Sequence, residues 1–244
     1  MAAELARAWL LHRRPYKERA VIAEFLVEGH GRLAMVVQGV RSLSSGKIAL
    51  LQPFTEVLLS WRGRSDLKTL SSIEVRTWAK LSGNALFCGF YLNELVIRAV
   101  MPRQQLDGLM ELYTLVLNQL ATPVASVEPL LRFFELQLLQ LTGYLPTLTH
   151  EAITGKALRQ GGYYYYQPHV GLVEAGSAVL SRNGVCQGFS TEVLLSLARR
   201  DFSQPGLYPD FKRFSRVALE PLLGGRPLKS RELFTRQWRS ANRK

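Results

Sequence analysis

Cysteine is scarce. Cys88 and Cys186 are the two in 244 residues, they stand far apart in apolar settings, and no C-x-x-C pair exists. A thiolate zinc site is thereby excluded, and two buried thiols in a reducing compartment are expected. Histidine is nearly as rare: His12, His30, His150 and His169 show no H-x-x-x-H spacing, so neither a metal nor another cofactor is expected. Each reads instead as a surface or loop-anchoring residue. No run approaches the roughly eighteen uninterrupted apolar residues of a membrane span, and Met1-Ala-Ala-Glu4 carries an early acid unlike a secretory leader. A soluble, cytoplasmic protein is expected. G-x-S-x-G is missing, and Gly224-Gly225 before Lys229 lacks the G-x-x-x-x-G-K-[ST] order, which removes the hydrolase elbow and the phosphate loop. Asp107 and Glu111 lie four apart with nothing beside them to tune a catalytic carboxylate. No catalytic constellation is present, and an enzyme is not expected.

Acids are also few, nineteen Asp plus Glu against thirty-one Lys plus Arg, for a net charge of +12. Residues 1–80 hold thirteen basic and seven acidic side chains, residues 81–211 eight and ten, and residues 212–244 ten and two. Two cationic ends around a nearly neutral middle attract polyanions, of which nucleic acid is the commonest in the cytoplasm. An acidic lipid surface is the rival partner. Basic residues interrupted by Pro and Gly do not form the long amphipathic face that lying on a membrane requires, so no membrane partner is expected. A hydrophobic fraction of 47% excludes a mainly disordered chain.

The stretch from Arg19 to Trp61 organises the first part. Arg19–Val27 and Gly31–Gly39 alternate as strands around Glu28-Gly29-His30, a hairpin signal. A Gly-, Ser- and cation-rich loop over Gly39–Lys47 follows, and a strand pattern returns over Gln52–Trp61. Ala6–His12 predicts a first strand closed by a loop at Arg13–Glu18, with Pro15 as the break. Leu67–Lys80 predicts a fifth, with Leu67, Leu70, Ile73, Val75 and Trp78 as its apolar set. Five short strands fit a five-stranded Greek-key barrel. The period then changes: helices are predicted over Asn84–Met101, Leu106–Ala121, and from a cap at Ser126 to a stop at Gly143. Pro146–Gly188 is rich in Gly, Tyr and Ser. Its Tyr163–Tyr166 run could stack on bases or pack a small sheet onto a core. Helical signals return over Ser190–Arg200, Asp210–Leu223 and Ser230–Trp238, with Ser230 as a cap. The expected fold is α+β and multidomain: a barrel over 1–80, a helical domain over 81–145 and 190–244, and a β/loop insertion over 146–189.

Electrostatics supplies the candidate site. Arg13, Arg14, Lys17 and Arg19 in the first loop, Arg32, Arg41 and Lys47 around the second, and Arg62, Arg64 and Lys68 at the third converge on one rim if the barrel closes. Cations along a groove neutralise successive phosphates and release counterions. Arg7, Arg76 and Lys80 read as solvated strand positions. Lys212, Arg213, Arg216, Arg226, Lys229 and Arg231, with Arg236, Arg239, Arg243 and Lys244, either extend this track or receive an acidic peptide.

The motif Gly224-Gly225-x-Pro227-Leu228-Lys229-Ser230-Arg231-Glu232-Leu233-Phe234 resembles the bacterial RecO family of DNA repair proteins. Further matches are Leu11-His12-x-Arg14-Pro15-Tyr16-x-Glu18, Gly31-Arg32, Gly39-Val40-Arg41-Ser42, Leu51-Gln52-Pro53-Phe54, Tyr91-x-Asn93-Glu94-Leu95, Arg132-x-Phe134-Glu135-Leu136 and Leu141-x-Gly143-Tyr144. Their order and spacing cover nearly the whole chain. The resemblance implies an N-terminal OB-fold, a helical domain and a cytoplasmic, nucleoid-associated role in recombinational repair. It implies binding of single- and double-stranded DNA, annealing of complementary strands and, with RecR, loading of RecA onto DNA coated by single-stranded-DNA-binding protein. Many relatives carry four zinc-binding cysteines after the Gly-Tyr pair; Tyr144–Gly171 has none here, so a metal-free segment is expected. The family also grips the acidic, Phe-ended tail of the single-stranded-DNA-binding protein, for which Arg132, with Leu131 and Phe134, is the candidate. The other reading of these residues puts Phe134 in the core and Arg132 in solvent. An adaptor whose main contacts are to proteins, or an RNA-binding accessory factor, are the alternative functions.

Overall fold

The computed structural model describes residues 5–40, 47–175 and 188–232, the side chain of Lys47 apart. The described elements are β1 (Ala6–Tyr16), β2 (Ala20–Val27), β3 (Gly31–Gln38), α1 (Lys47–Leu50), β4 (Thr55–Arg62), β5 (Leu67–Trp78), α2 (Gly83–Ala99), α3 (Leu109–Leu120) and α4 (Glu128–Leu141). They continue with β6 (Tyr163–Gln167), β7 (Gly171–Glu174), β8 (Phe189–Ser190), α5 (Thr191–Arg199) and α6 (Tyr208–Leu223). The chain divides into two compact units, Met1–Val127 with Pro227–Lys244, and Glu128–Arg226. The helices α2 and α3 thus group with the strands before them, whereas the sequence expectation draws its boundary at 80/81. The expected loop at Gly39–Lys47, Cys186 and most of the helix over Ser230–Trp238 lie outside the described residues.

In the first unit β1-β2-β3-β5-β4 close into a barrel. All neighbours are antiparallel except β3 and β5, which run parallel with Ala34, Met35 and Val36 facing Leu67, Lys68 and Thr69. Alternation fills the interior: Ala8, Leu10, Ala23, Phe25, Leu33, Met35, Val57 and Leu59 are buried together. Trp9 is buried on the other face of β1, where its indole N–H donates to Thr114 Oγ1 of α3 at 2.9 Å. Its ring meets Tyr113 edge-on at 5.8 Å. The Tyr113 hydroxyl donates to Asn93 Oδ1, and Asn93 Nδ2 donates to the Leu11 carbonyl at 2.7 Å. Both α2 and α3 are thereby fastened to β1 through buried polar groups that all find partners. Burial pushes the Tyr113 phenol pKa up.

Two strands depart from their sequence outlines. β1 continues through Arg13-Arg14-Pro15-Tyr16, pairing with Ala23–Ala20 of β2, although Pro15 is the break expected from the sequence. Among the described residues β4 pairs with β1 only over Ala6–Trp9, so beyond that point this side of β1 is an edge and a missing N–H there breaks no ladder. In β5, Val75 and Trp78 belong to the expected apolar set, yet they are 38% and 57% exposed.

In the second unit α4 and α6 pack together. Phe211, Phe214, Ser215, Ala218 and Leu219 are the buried stripe of α6, spaced as one helix face requires. Phe134, Leu138 and Leu139 are buried on α4. The small sheet β7-β6-β8 takes up the tyrosine run: Tyr164 is buried, Tyr166 lies 6.1 Å from Phe214, and Tyr163 is exposed. Ser190 caps α5 by accepting from the Val193 N–H. Residues 143–172 enclose a cleft of about 550 Å³ bordered by Tyr144, His150, Glu151, Tyr166 and His169. The Glu151 carboxylate accepts from the Thr154 hydroxyl and N–H, which hold its pKa below the usual carboxylate value.

Candidate nucleic-acid interface

Strand register decides where the barrel cations stand. Tyr16 faces Ala20, and Ala20 faces Gln38, so the β1–β2 turn and the chain leaving β3 share one end. Arg14, Lys17 and Arg19 are exposed there, and Arg13 is half-buried. The Arg13 guanidinium donates to the Ile48 carbonyl at 3.2 Å, which brings α1 to the same end. Lys17 takes a left-handed turn conformation and lies 5.4 Å from the Tyr16 ring centre. Arg41 and the side chain of Lys47 lie outside the described residues.

Arg62 and Arg64 stand at the opposite end. Ala6 faces Leu59 and Ala8 faces Val27, so the β4–β5 turn shares its end with the Glu28-Gly29-His30 hairpin, and the His30 ring sits 5.0 Å from Trp61. The expected convergence of all three cationic groups on one rim is therefore corrected: antiparallel pairing sends the β1–β2 and β4–β5 turns to opposite ends. Lys68 Nζ donates to the Gly63 carbonyl and closes its own turn. Arg103, which the sequence pattern does not single out, donates to the Arg64 and Ser65 carbonyls and pairs with Asp66 at 3.0 Å. Nothing local in the sequence signals this bond across 38 residues.

Arg32 is a further correction to the expected phosphate track. Its guanidinium pairs with Glu24 at 2.5 Å and donates to the Val100 carbonyl at 3.0 Å. Hairpin register puts the two side chains close, since Leu26 faces Arg32 and Glu24 faces Ala34.

The C-terminal cations divide between the two units. In the second, Lys212 pairs with Glu128 at 3.3 Å, and Arg213 pairs with Asp210 at 2.8 Å and covers the Phe189 ring at 4.0 Å. Arg216 is exposed on the same helix. In the first unit Glu94 of α2 accepts from the Lys229 N–H, the Ser230 N–H and the Ser230 hydroxyl. Arg98 donates to the Pro227 carbonyl. The carboxylate of α2 thus does for this segment what a capping side chain would, and it also accepts from the Ser230 hydroxyl. Arg226 and Lys229 are exposed and Arg231 is half-buried.

The residues expected to hold an acidic tail lie deeper than expected. Phe134 is wholly buried, Leu131 is 7% exposed and Arg132 is 3% exposed. Phe134 is thus core, as in the second reading of these residues, while Arg132 is drawn inward by Glu135, 2.8 Å from its Nη2. Among the described residues Arg132 Nε has no hydrogen-bond partner, and Glu128 stands 3.9 Å from it.

Two family models match the chain, "Recombination protein O N terminal" over residues 1–78 and "Recombination protein O C terminal" over residues 80–232. Among full-length relatives, the DNA repair protein RecO of Haemophilus influenzae is 40% identical over 236 residues, 96% of this chain and 97% of that protein. RecO of Mannheimia succiniciproducens is 39% identical over 227 residues, 93% of this chain and 97% of that protein. RecO of Cellvibrio japonicus is 36% identical over 236 residues, 96% and 98% of the two chains. With its five-stranded barrel and helical C-terminal region, the chain belongs to the RecO family and has that family's role in DNA repair and recombination.

Proposed function

We propose that this chain is a non-enzymatic recombination mediator that binds single- and double-stranded DNA and anneals complementary strands. With RecR, it helps load RecA onto DNA coated by single-stranded-DNA-binding protein. The observation that carries this reading is the exposed set Arg14, Lys17 and Arg19 at one end of a closed barrel, with Arg13 beside them. Cations there offset repulsion between two phosphate backbones, and base pairing then supplies the specificity of annealing. Arg62 and Arg64 at the far end offer a second place for backbone phosphates, suited to a second strand.

The test is a salt titration of oligonucleotide binding by the full chain with Arg14, Lys17 and Arg19 changed together to Ala. Affinity is expected to fall and the slope of its logarithm against log salt to flatten by about 2–3, close to one for each phosphate no longer neutralised. Annealing of complementary strands should slow in parallel. An unchanged slope would remove this end of the barrel from the interface.

A second reading, an adaptor recruited by the acidic tail of the single-stranded-DNA-binding protein, is favoured by Arg132 Nε. It is a buried donor without a hydrogen bond among the described residues, and a peptide carboxylate taking the place of Glu128 beside it would satisfy that donor.

A further inference from the structure

β5 ends in an unusually exposed stretch. From Glu74 to Trp78 every residue is exposed, as is Lys80. Trp78 is 57% exposed, and Lys80 Nζ lies 5.5 Å from its ring centre. The pairing of β5 with β3 stops at Thr69, while β4 follows β5 along its other edge as far as Trp78. The register shift between Glu56 and Val57 makes Arg76 the extra residue of a bulge. Arg76 Nη1 lies 3.8 Å from Glu56, whose carboxylate already pairs with Arg7. Two guanidinium groups therefore share one carboxylate, and Glu74 is the remaining acid on this stretch. Trp78 faces Thr55, the first residue of β4, so β5 ends toward the half of the barrel that carries Arg13, Arg14, Lys17 and Arg19.

An indole left in water beside the Lys80 ammonium, with Arg76 two residues before it on the same exposed stretch, suits a flat, electron-rich partner on an anionic chain. Its apolar neighbour Val75 is interleaved with Glu74, Arg76 and Thr77, which leaves too little continuous apolar surface for a protein interface. We propose that Trp78, flanked by Arg76 and Lys80, is a stacking platform for an unpaired base of single-stranded DNA, with the two cations meeting the adjoining phosphates. The platform rests on the DNA-binding reading above and deepens it: duplex bases hide their faces, so this site selects the single strand while the cationic end serves either form.

The test compares the full chain with Trp78→Ala and Trp78→Phe for binding of labelled oligothymidylate and of an abasic oligomer of equal length, by fluorescence anisotropy. Trp78→Ala is expected to weaken oligothymidylate binding about 5- to 150-fold and to leave the abasic oligomer unchanged. Trp78→Phe should retain most of the affinity, since a phenyl ring also stacks. Equal oligothymidylate affinity in wild type and Trp78→Ala overturns the platform, as does an equal loss on both oligomers or a loss in Trp78→Phe as large as in Trp78→Ala. If wild type binds neither oligomer, the DNA-binding reading falls as well; if it binds both and Trp78→Ala changes nothing, the platform falls alone.

Discussion

Gly31 follows the β2–β3 turn with φ of 68°, and a Cβ there would collide with the Gln104 carbonyl. Gln104 belongs to the segment after α2 that is bonded to the start of β3, where the Arg103 N–H donates to the Arg32 carbonyl at 2.9 Å. Gly31→Ala is expected to destabilise by about 2–4 kcal/mol, backbone strain plus a clash with main chain that cannot swing aside. Gly29 is the control, since it has φ of 67° and nothing within 4 Å of an added Cβ. Urea midpoints at constant slope measure both; equal losses would show that the collision contributes nothing. The left-handed glycines of this turn are legible in the sequence, because Glu-Gly-His between two alternating runs asks for them. The approach of Gln104 is not, since it comes from a loop about seventy residues away. Arg32 is an intermediate case: fixing the hairpin register is enough to set it diagonal to Glu24, so its ion pair follows from the turn, while its bond to the Val100 carbonyl does not.

Among the elements, α4 shows how a helix that is apolar in sequence can carry a buried ion pair. Arg132 and Glu135 are three apart on the face that also buries Phe134 and Leu138. Removing the guanidinium leaves the Glu135 carboxylate inside with its main counter-charge gone, so Arg132→Ala is expected to cost about 3–5 kcal/mol. Arg132→Lys should recover part of this. Under conditions where both variants remain folded by circular dichroism, an acidic Phe-terminated peptide should bind Arg132→Ala more weakly than Arg132→Lys if the tail docks there. Equal affinity by anisotropy would confine Arg132 to stability. Helical spacing makes α2, α3, α4 and α6 legible to within a few residues, as periodicity is a local property. Which face of the tyrosine run turns inward is legible only as two alternatives; β6 settles it through alternation, Tyr164 and Tyr166 packing against the core while Tyr163 faces out.

At the scale of the whole chain, the barrel is readable from five alternating runs, and the cations from their number. Their arrangement is not, because whether two turns meet depends on strand order and direction, which are long-range properties. Once β1 pairs antiparallel with both β2 and β4, the turns that follow β1 and β4 must part. The same strand order has a mechanical consequence. β3 and β5 are registered over Ala34–Val36 against Leu67–Thr69 among the described residues, whereas β2 and β3 are registered from Ala20 to Val27 against Gln38 to Gly31. A cylinder held shut by so short a seam parts there first when it breathes. Hydrogen–deuterium exchange should find the amides of Leu67–Thr69 labelling well ahead of those in the β2–β3 ladder. Matched protection would mean instead that the wall gives way only when the entire unit unfolds.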